Sequence, residues 1–260
     1  MSESSPQPPE TQQAPASREE GRDRLFRARA PAPGTFDFGP DTARVFDDML
    51  QRSVPLYREL QRMVAEVAGA FAVPGSTLYD LGCATGTTFL ALDRQLPPGV
   101  RLVGIDASEA MLARARAKLQ AAGFTRPCEL RCQDLHALPA IEDASVVILN
   151  LTLQFVRPER RAPLIATIAA GLRPGGCLIL VEKVCCRTPS LDAFFTDCHH
   201  AFKRRNGYQD LEITRKRQAL EDVLIPYTAQ ENERLLLENG FRSCESFFRW
   251  YNFCGLLALL

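Results

Sequence analysis

Apolar positions along this chain change their spacing twice. From residue 41 they recur at helical intervals: Val45, Phe46, Met49 and Leu50, then Leu56, Leu60, Met63, Val64 and Val67. Ser53 ahead of Pro55 predicts a capped start for the second of these helices. Tyr57 shares the side of Leu60 and Val64, which turns its ring toward the core or a cleft edge. From Ser76 short apolar runs alternate with amphipathic stretches. "STLYDLG", "RLVGID", "CELRCQD", "SVVILNL" and "CLILVEKV" read as five strands. Helices are expected between them over about 87–96, over 109–122 behind the N-cap Ser108, and over about 157–172, ending in "LRPGG". Such alternation calls for a parallel sheet covered on both faces. Beyond the fifth strand the pattern predicts inserted helices near 190–205 and 210–224 and another over 230–238. Two final strands, about 244–251 and 253–259, lie too close for a crossover helix and must pair antiparallel.

Residues 1 to 35 carry no such periodicity. They are rich in Pro, Ser, Glu, Gln and Arg, so they bury too little apolar surface to offset their ordering entropy; a disordered tail is expected, with a single folded domain over 36–260. Composition fits this division: 46% hydrophobic and 24% charged residues supply a sizeable core. Formal net charge is zero, so no global field draws the chain to nucleic acid or membrane. Neither a bilayer-length apolar run nor a signal-peptide core is visible. Nine cysteines without a paired CxxC, mostly among apolar neighbours, point to reduced thiols in the cytoplasm, with no disulfide framework or metal centre.

Candidate chemistry gathers at strand ends. In "LYDLGCATGTTF" a strand ends at Asp80, and Gly82, Ala84 and Gly86 turn the chain into a helix. Small residues there let a ligand approach the backbone closely. Asp106, 24 residues after Gly82, ends the second strand, where a carboxylate accepts hydrogen bonds from both ribose hydroxyls of a nucleoside. Asp134 ends the third strand, within reach of an adenine edge, and Asn150 ends the fourth. Open α/β sheets bind ligands at these carboxyl ends. The glycine spacing differs from G-x-G-x-x-G, which disfavours a dinucleotide. Together with the closing antiparallel pair it resembles the class I S-adenosylmethionine-dependent methyltransferases: a Rossmann-like, mostly parallel seven-stranded sheet with an antiparallel closing hairpin and a helical insertion after the fifth strand.

Three successive cations, Arg215, Lys216 and Arg217, sit in the second inserted helix. At 100° per residue Ile213, Leu220 and Leu224 share a face, and Arg217 falls on it. Arg215 points nearly opposite and Lys216 lies on a flank, so the three form no phosphate-tracking patch. A guanidinium on that face either snorkels to solvent, pairs with a buried Glu, or holds the carboxylate of a ligand beside the bound nucleoside. Leu191, Phe195, Cys198 and Phe202 line one face of the first inserted helix, flanked by His199.

The strings "RVFDDMLQRSVPLY", "YDLGCATGTT", "ILNLTLQFV", "HHAFKRRNGYQDLEITRKRQALEDVL" and "FFRWYNFCGLLAL" together resemble the carboxy-S-adenosyl-L-methionine synthases over about 36–260. The "LTLQF" and "FKRRNGY" strings are far more specific than the nucleotide motif. This resemblance implies that the protein binds S-adenosyl-L-methionine without transferring its methyl group. Prephenate would decarboxylate and aromatise to phenylpyruvate while its carboxyl group moves to the methyl carbon, giving carboxy-S-adenosyl-L-methionine. A second enzyme would use that product to modify the wobble uridine 34 of tRNA. By the same resemblance Tyr57 contacts the ligand; Gly82, Cys83 and Ala84 line its methionine end; Asp106 and Ala107 hold the ribose; Asp134 and Leu135 hold the adenine; Asn150 lies near the sulfonium; and Arg217 pairs with the new carboxylate. A homodimer is implied too, without direct nucleic-acid or membrane contact. The residues show no obvious side-chain base, so the proton acceptor is expected to come from the substrate. Rival readings are a true methyltransferase acting on tRNA or a small acid, and a non-catalytic S-adenosylmethionine-binding module.

Overall fold

Four of the five expected parallel strands carry Val, Ile and Leu runs buried on both faces, whereas the third, Cys128–Cys132, is an edge strand that stays largely exposed. The structure, a computed structural model, describes residues 21–28, 31–137 and 141–260. Strands β1 (Thr77–Leu81), β2 (Arg101–Asp106), β3 (Cys128–Cys132), β4 (Ala144–Asn150), β5 (Leu172–Lys183), β6 (Ser243–Trp250) and β7 (Phe253–Leu259) form one sheet in the order β3-β2-β1-β4-β5-β7-β6. Pairing is parallel from β3 to β5 and antiparallel for β5–β7 and β7–β6. In β4 Val146 and Ile148 pack into the core on one face, and Val147 and Leu149 into the core on the other. One layer adds α3 (Tyr57–Phe71) and α4 (Thr87–Leu92); the other adds α6 (Pro158–Gly171) and α9 (Ala229–Glu238). Chain order reverses beside β1, whose neighbours are β2 and β4, and a crevice opens there at the strands' carboxyl ends.

The expected elements are all present, with shifted ends. Ser53 does not cap α3. It closes α2 (Pro40–Ser53), its hydroxyl donating to the Met49 carbonyl, while Pro55 lies in the turn and Leu56 leads into α3 at φ 52°. Ser108 does cap α5 (Glu109–Ala121), accepting from the Met111 amide at 3.2 Å. Among the inserted helices, α7 spans Pro189–Arg205, but α8 (Asp210–Ala219) stops short of residue 224.

The tail expected through residue 35 needs correcting where it is described; residues 1–20, 29 and 30 lie outside the described residues. Leu25–Ala28 form a short helix, α1, against α8, where the Arg215 guanidinium donates to the Phe26 and Arg27 carbonyls at 3.1 and 2.8 Å. Asp23 is buried and accepts from the Tyr208 hydroxyl. Gly34 and Phe36 donate to the carbonyls of Gln218 and Ala219 at 3.1 and 3.0 Å. Local composition missed this order because the partners on α8 and at Tyr208 lie far along the chain, 185 residues away for Tyr208.

Candidate functional site

A cavity of about 330 Å³ fills the crevice, far beyond the ~15 Å³ that holds one water molecule. The strand ends build its floor. At β1 the chain turns with Gly82 at φ 81°, Ala84 at φ 44° and Gly86 at φ 74°. Gly82 is obligatory on two counts, since a Cβ there would sit 2.3 Å from Thr152 Oγ1 in a conformation that side chains avoid. Ala84 holds the same left-handed region despite its methyl group, and its amide donates to Asp106 Oδ2 at 2.9 Å. Below the turn, Lys118 Nζ binds Asp47 Oδ1 at 2.7 Å, Thr85 Oγ1 at 2.8 Å and Thr87 Oγ1 at 2.9 Å. That knot joins α2, α5 and the turn, and it gave no sign in the sequence.

Asp106 ends β2 with Oδ1 accepting from the Ser108 amide at 2.9 Å; burial raises its pKa, opposed by the two backbone donors. Asp134 is exposed, and its carboxyl is held low by hydrogen bonds from the His136 amide, at 2.9 Å, and ring, at 2.7 Å. Asn150 lines the cavity with a buried Oδ1 that lacks a hydrogen-bond partner. The Tyr57 hydroxyl accepts from Gln61 Nε2 at 2.9 Å, and burial drives its pKa up. The structure thus brings Tyr57, Gly82, Cys83, Ala84, Asp106, Ala107, Asp134, Leu135 and Asn150 around one cavity.

Arg217 does not join them. Its side chain is exposed and off the cavity wall, so the inward aim expected of it is wrong. The buried face of α8 runs through Glu212, Ile213, Lys216 and Ala219. Leu220 and Leu224, which oriented the expected helical wheel, lie past the helix end and reach the cavity from the following turn. The inward cation is therefore Lys216. Burial lowers its pKa, with Asp23 acting in the opposite sense.

Other side chains in the site escaped sequence reasoning. Phe36 and Phe38 cover the cavity, with Phe38 edge-on to Phe155 at 5.1 Å. Glu182, buried in β5, accepts from the amides of Thr152, Leu153 and Gln154 at 3.1, 2.8 and 2.8 Å. It thereby fixes the "LTLQF" turn that follows Asn150. Burial pushes its carboxyl up to about 8 against those three donors. Lys183 and Lys203 also line the cavity. Spacing could have found Lys203, which follows His199 by four residues on one helix face. His199 packs at the cavity edge: its Nε2 lies 2.8 Å from the Ser53 carbonyl, and burial drives it down to about 2, so it is the neutral donor.

Asp80 lies under the turn, fully buried, and burial lifts it from its ordinary 3.8 to about 7 against the opposing influence of the Thr88 hydroxyl. Between those values the native state keeps a proton that the unfolded chain releases, so stability falls as pH rises through that window. Asp80→Asn removes the penalty. The variant is expected to melt about 5 °C or more above the parent at pH 8 and to converge with it near pH 4 in thermal scans. An equal offset at both pH values would show that the carboxyl does not titrate with folding.

A methyltransferase-domain family model matches residues 78–176. Among solved structures, the S-adenosylmethionine-dependent methyltransferase SibL in its apo form superposes with a TM-score of 0.60 at 16% identity, over 83% of this chain and 57% of SibL, a likeness of fold alone. The carboxy-S-adenosyl-L-methionine synthase of Methylococcus capsulatus is 48% identical over 239 residues, 92% of this chain and 99% of that protein. That of Sodalis glossinidius is 41% identical over 239 residues, 92% of this chain and 96% of that protein. Likeness of this degree runs through the inserted helices as well as the sheet, and the chain belongs to the carboxy-S-adenosyl-L-methionine synthase family.

Proposed function

We propose that this protein converts S-adenosyl-L-methionine and prephenate to carboxy-S-adenosyl-L-methionine and phenylpyruvate. The observation that carries this reading is the likeness to synthases of that name over nearly their whole length, inserted helices included. The cavity supports it through its polarity along the sheet edge: acids stand at β2 and β3, a neutral amide at β4, and ammonium groups at β5 and the inserted helices.

In this reading Asp106 and Ala107 take the ribose, Asp134 and Leu135 the adenine, and the 82–84 turn with Tyr57 the methionine end. The unpaired Asn150 Oδ1 faces the sulfonium methyl, whose acidified hydrogens suit a carbonyl oxygen. Prephenate loses carbon dioxide and its ring hydroxide as it aromatises. The methyl carbon loses a proton to that hydroxide, giving water, and its electron pair attacks the carbon dioxide. One C–C bond breaks and one forms, with no external base or redox partner. Protein side chains contribute position, a fixed positive charge and exclusion of water by Phe36, Phe38 and Phe155. Arg217 is left out of this set.

The product would feed an enzyme that modifies wobble uridine 34 of tRNA. A homodimer is supported by Leu191, Phe194 and Tyr251, large apolar side chains left exposed on α7 and the β6–β7 turn. All nine cysteines are free, which suits a reducing cytoplasm, and no helix among the described residues is long and apolar enough to cross a membrane.

Mass measurement of the sulfonium product tests the proposal directly. The pure protein is incubated with S-adenosyl-L-methionine, with and without prephenate. Gain of a carboxylate only with prephenate is expected. Loss of the methyl group would make the protein a methyltransferase, and an unchanged sulfonium a binding module.

A further inference from the structure

Three lysines converge on one wall of the cavity from separate elements: Lys183 from the end of β5, Lys203 from α7 and Lys216 from α8. Lys216 is buried, and the other two are half-buried. None of their side chains makes a hydrogen bond or an ion pair with another described residue. Lys216 has only the Tyr208 ring, 6.0 Å from Nζ. The acid whose charge reaches Lys203 and Lys216 is Asp23, which already accepts the Tyr208 hydroxyl. The acid acting on Lys183 is Asp192, whose Oδ1 takes the Cys186 amide at 2.7 Å. Buried ammonium groups that repel one another and lack partners are costly. Burial and the neighbouring ammoniums of Lys216 and Lys183 push Lys203 far below the ordinary lysine range. A fold retains such a cluster when an anion that is not part of the chain completes it.

The sheet locates that anion. Asp134 follows β3 and Lys183 ends β5, four strand spacings apart in the order β3-β2-β1-β4-β5, or about 19 Å. A nucleoside held between Asp106 and Asp134 leaves the lysine wall on the far side of Asn150, at the opposite end of the cleft. We propose that Lys183, Lys203 and Lys216 form the subsite for the second substrate, seating the carboxylate that this small dicarboxylic acid keeps while its other carboxyl lies against the sulfonium methyl. This deepens the function proposed above and rests on it for the identity of the acid. It also accounts for the helical insertion, which supplies two of the three ammonium groups.

Lys203→Met and Lys216→Met test the assignment, with three quantities read for each: KM for prephenate in carboxy-S-adenosyl-L-methionine formation, affinity for S-adenosyl-L-methionine by calorimetry, and the melting temperature of the free protein. Expected are a rise of about tenfold or more in the prephenate KM, sulfonium affinity within about twofold, and a melting temperature equal to or above the parent's, because a buried polar group without a hydrogen-bond partner has gone. A structural lysine would instead lower the melting temperature and leave KM alone, which overturns the proposal. Weakened sulfonium binding with an unchanged prephenate KM also overturns it, by giving the lysines to the methionine carboxylate. Should a variant fail to fold, lysine acylation of the wild-type protein, mapped by mass spectrometry, decides the matter. Prephenate is expected to protect the two half-buried members, Lys183 and Lys203, in the presence of S-adenosyl-L-methionine, and equal labelling of both with and without it sinks the subsite. Wild-type protein that makes no carboxylated product fails the functional reading, while the acylation arm still judges the lysines.

Discussion

Asp106→Ala is expected to weaken S-adenosyl-L-methionine binding by ~100-fold or more in a calorimetric titration. Each oxygen of this carboxylate accepts one backbone amide, from Ser108 and Ala84, and keeps lone pairs for a ribose hydroxyl. Hydrogen bonds to a charged acceptor contribute about 1.5–3 kcal/mol each. Losing two therefore removes ~3 kcal/mol or more, and each ~1.4 kcal/mol is a factor of ten. The truncation also frees the Ala84 amide and with it the residue held at φ 44°, so the 82–86 turn loosens as well. Asp106→Asn keeps one acceptor oxygen and should fall between parent and alanine variant. Overlapping titrations for parent and Asp106→Ala would remove the ribose from this end of the cleft.

The second large effect is on the scaffold. Glu182→Ala is expected to lower the melting temperature by roughly 10 °C and to depress product formation with it. Three amides of the 152–154 turn share this one buried carboxyl. Orphaning buried donors costs about 1–3 kcal/mol apiece, and for a chain of this size each kcal/mol shifts the midpoint by about 2–4 °C. The turn carries Thr152, Gln154 and Phe155 on the cavity wall, so its collapse reaches the ligand. Glu182→Gln should lie between, because its amide group presents hydrogens to an N–H that needs an acceptor. A turn that tolerated alanine with unchanged melting would show that water replaces the carboxyl there.

The strand-end residues were legible in the amino-acid pattern for a local reason. Where an apolar run stops, a parallel strand leaves the sheet, so Asp106 and Asn150 could be placed at the cleft from their own neighbours. The glycine turn was legible for the same reason. The cation was not. Arg217 and Lys216 differ by 100° on a helix, and the choice between them depended on where α8 ends and on what covers it. By spacing Leu220 continues the helical stripe, yet the helix closes at Ala219 and Leu220 reaches the cavity from the turn beyond. Lys203 stood in a quoted string, and its place four residues after His199, not its charge, was the one local pointer to the cleft.

Periodicity, a short-range property, was enough to establish the parallel core of the sheet and its closing hairpin, and the family resemblance rested on whole strings of residues such as "LTLQF" and "FKRRNGY". Folding alone settled which charges face inward and that Leu25–Ala28, Gly34 and Phe36 pack against the inserted helices. Those outcomes depend on contacts such as Asp23 with Tyr208 and Arg52 with Asn206, separated by 185 and 154 residues. The energy of a buried charge is set by everything that surrounds it in space, and no window along the chain contains those surroundings.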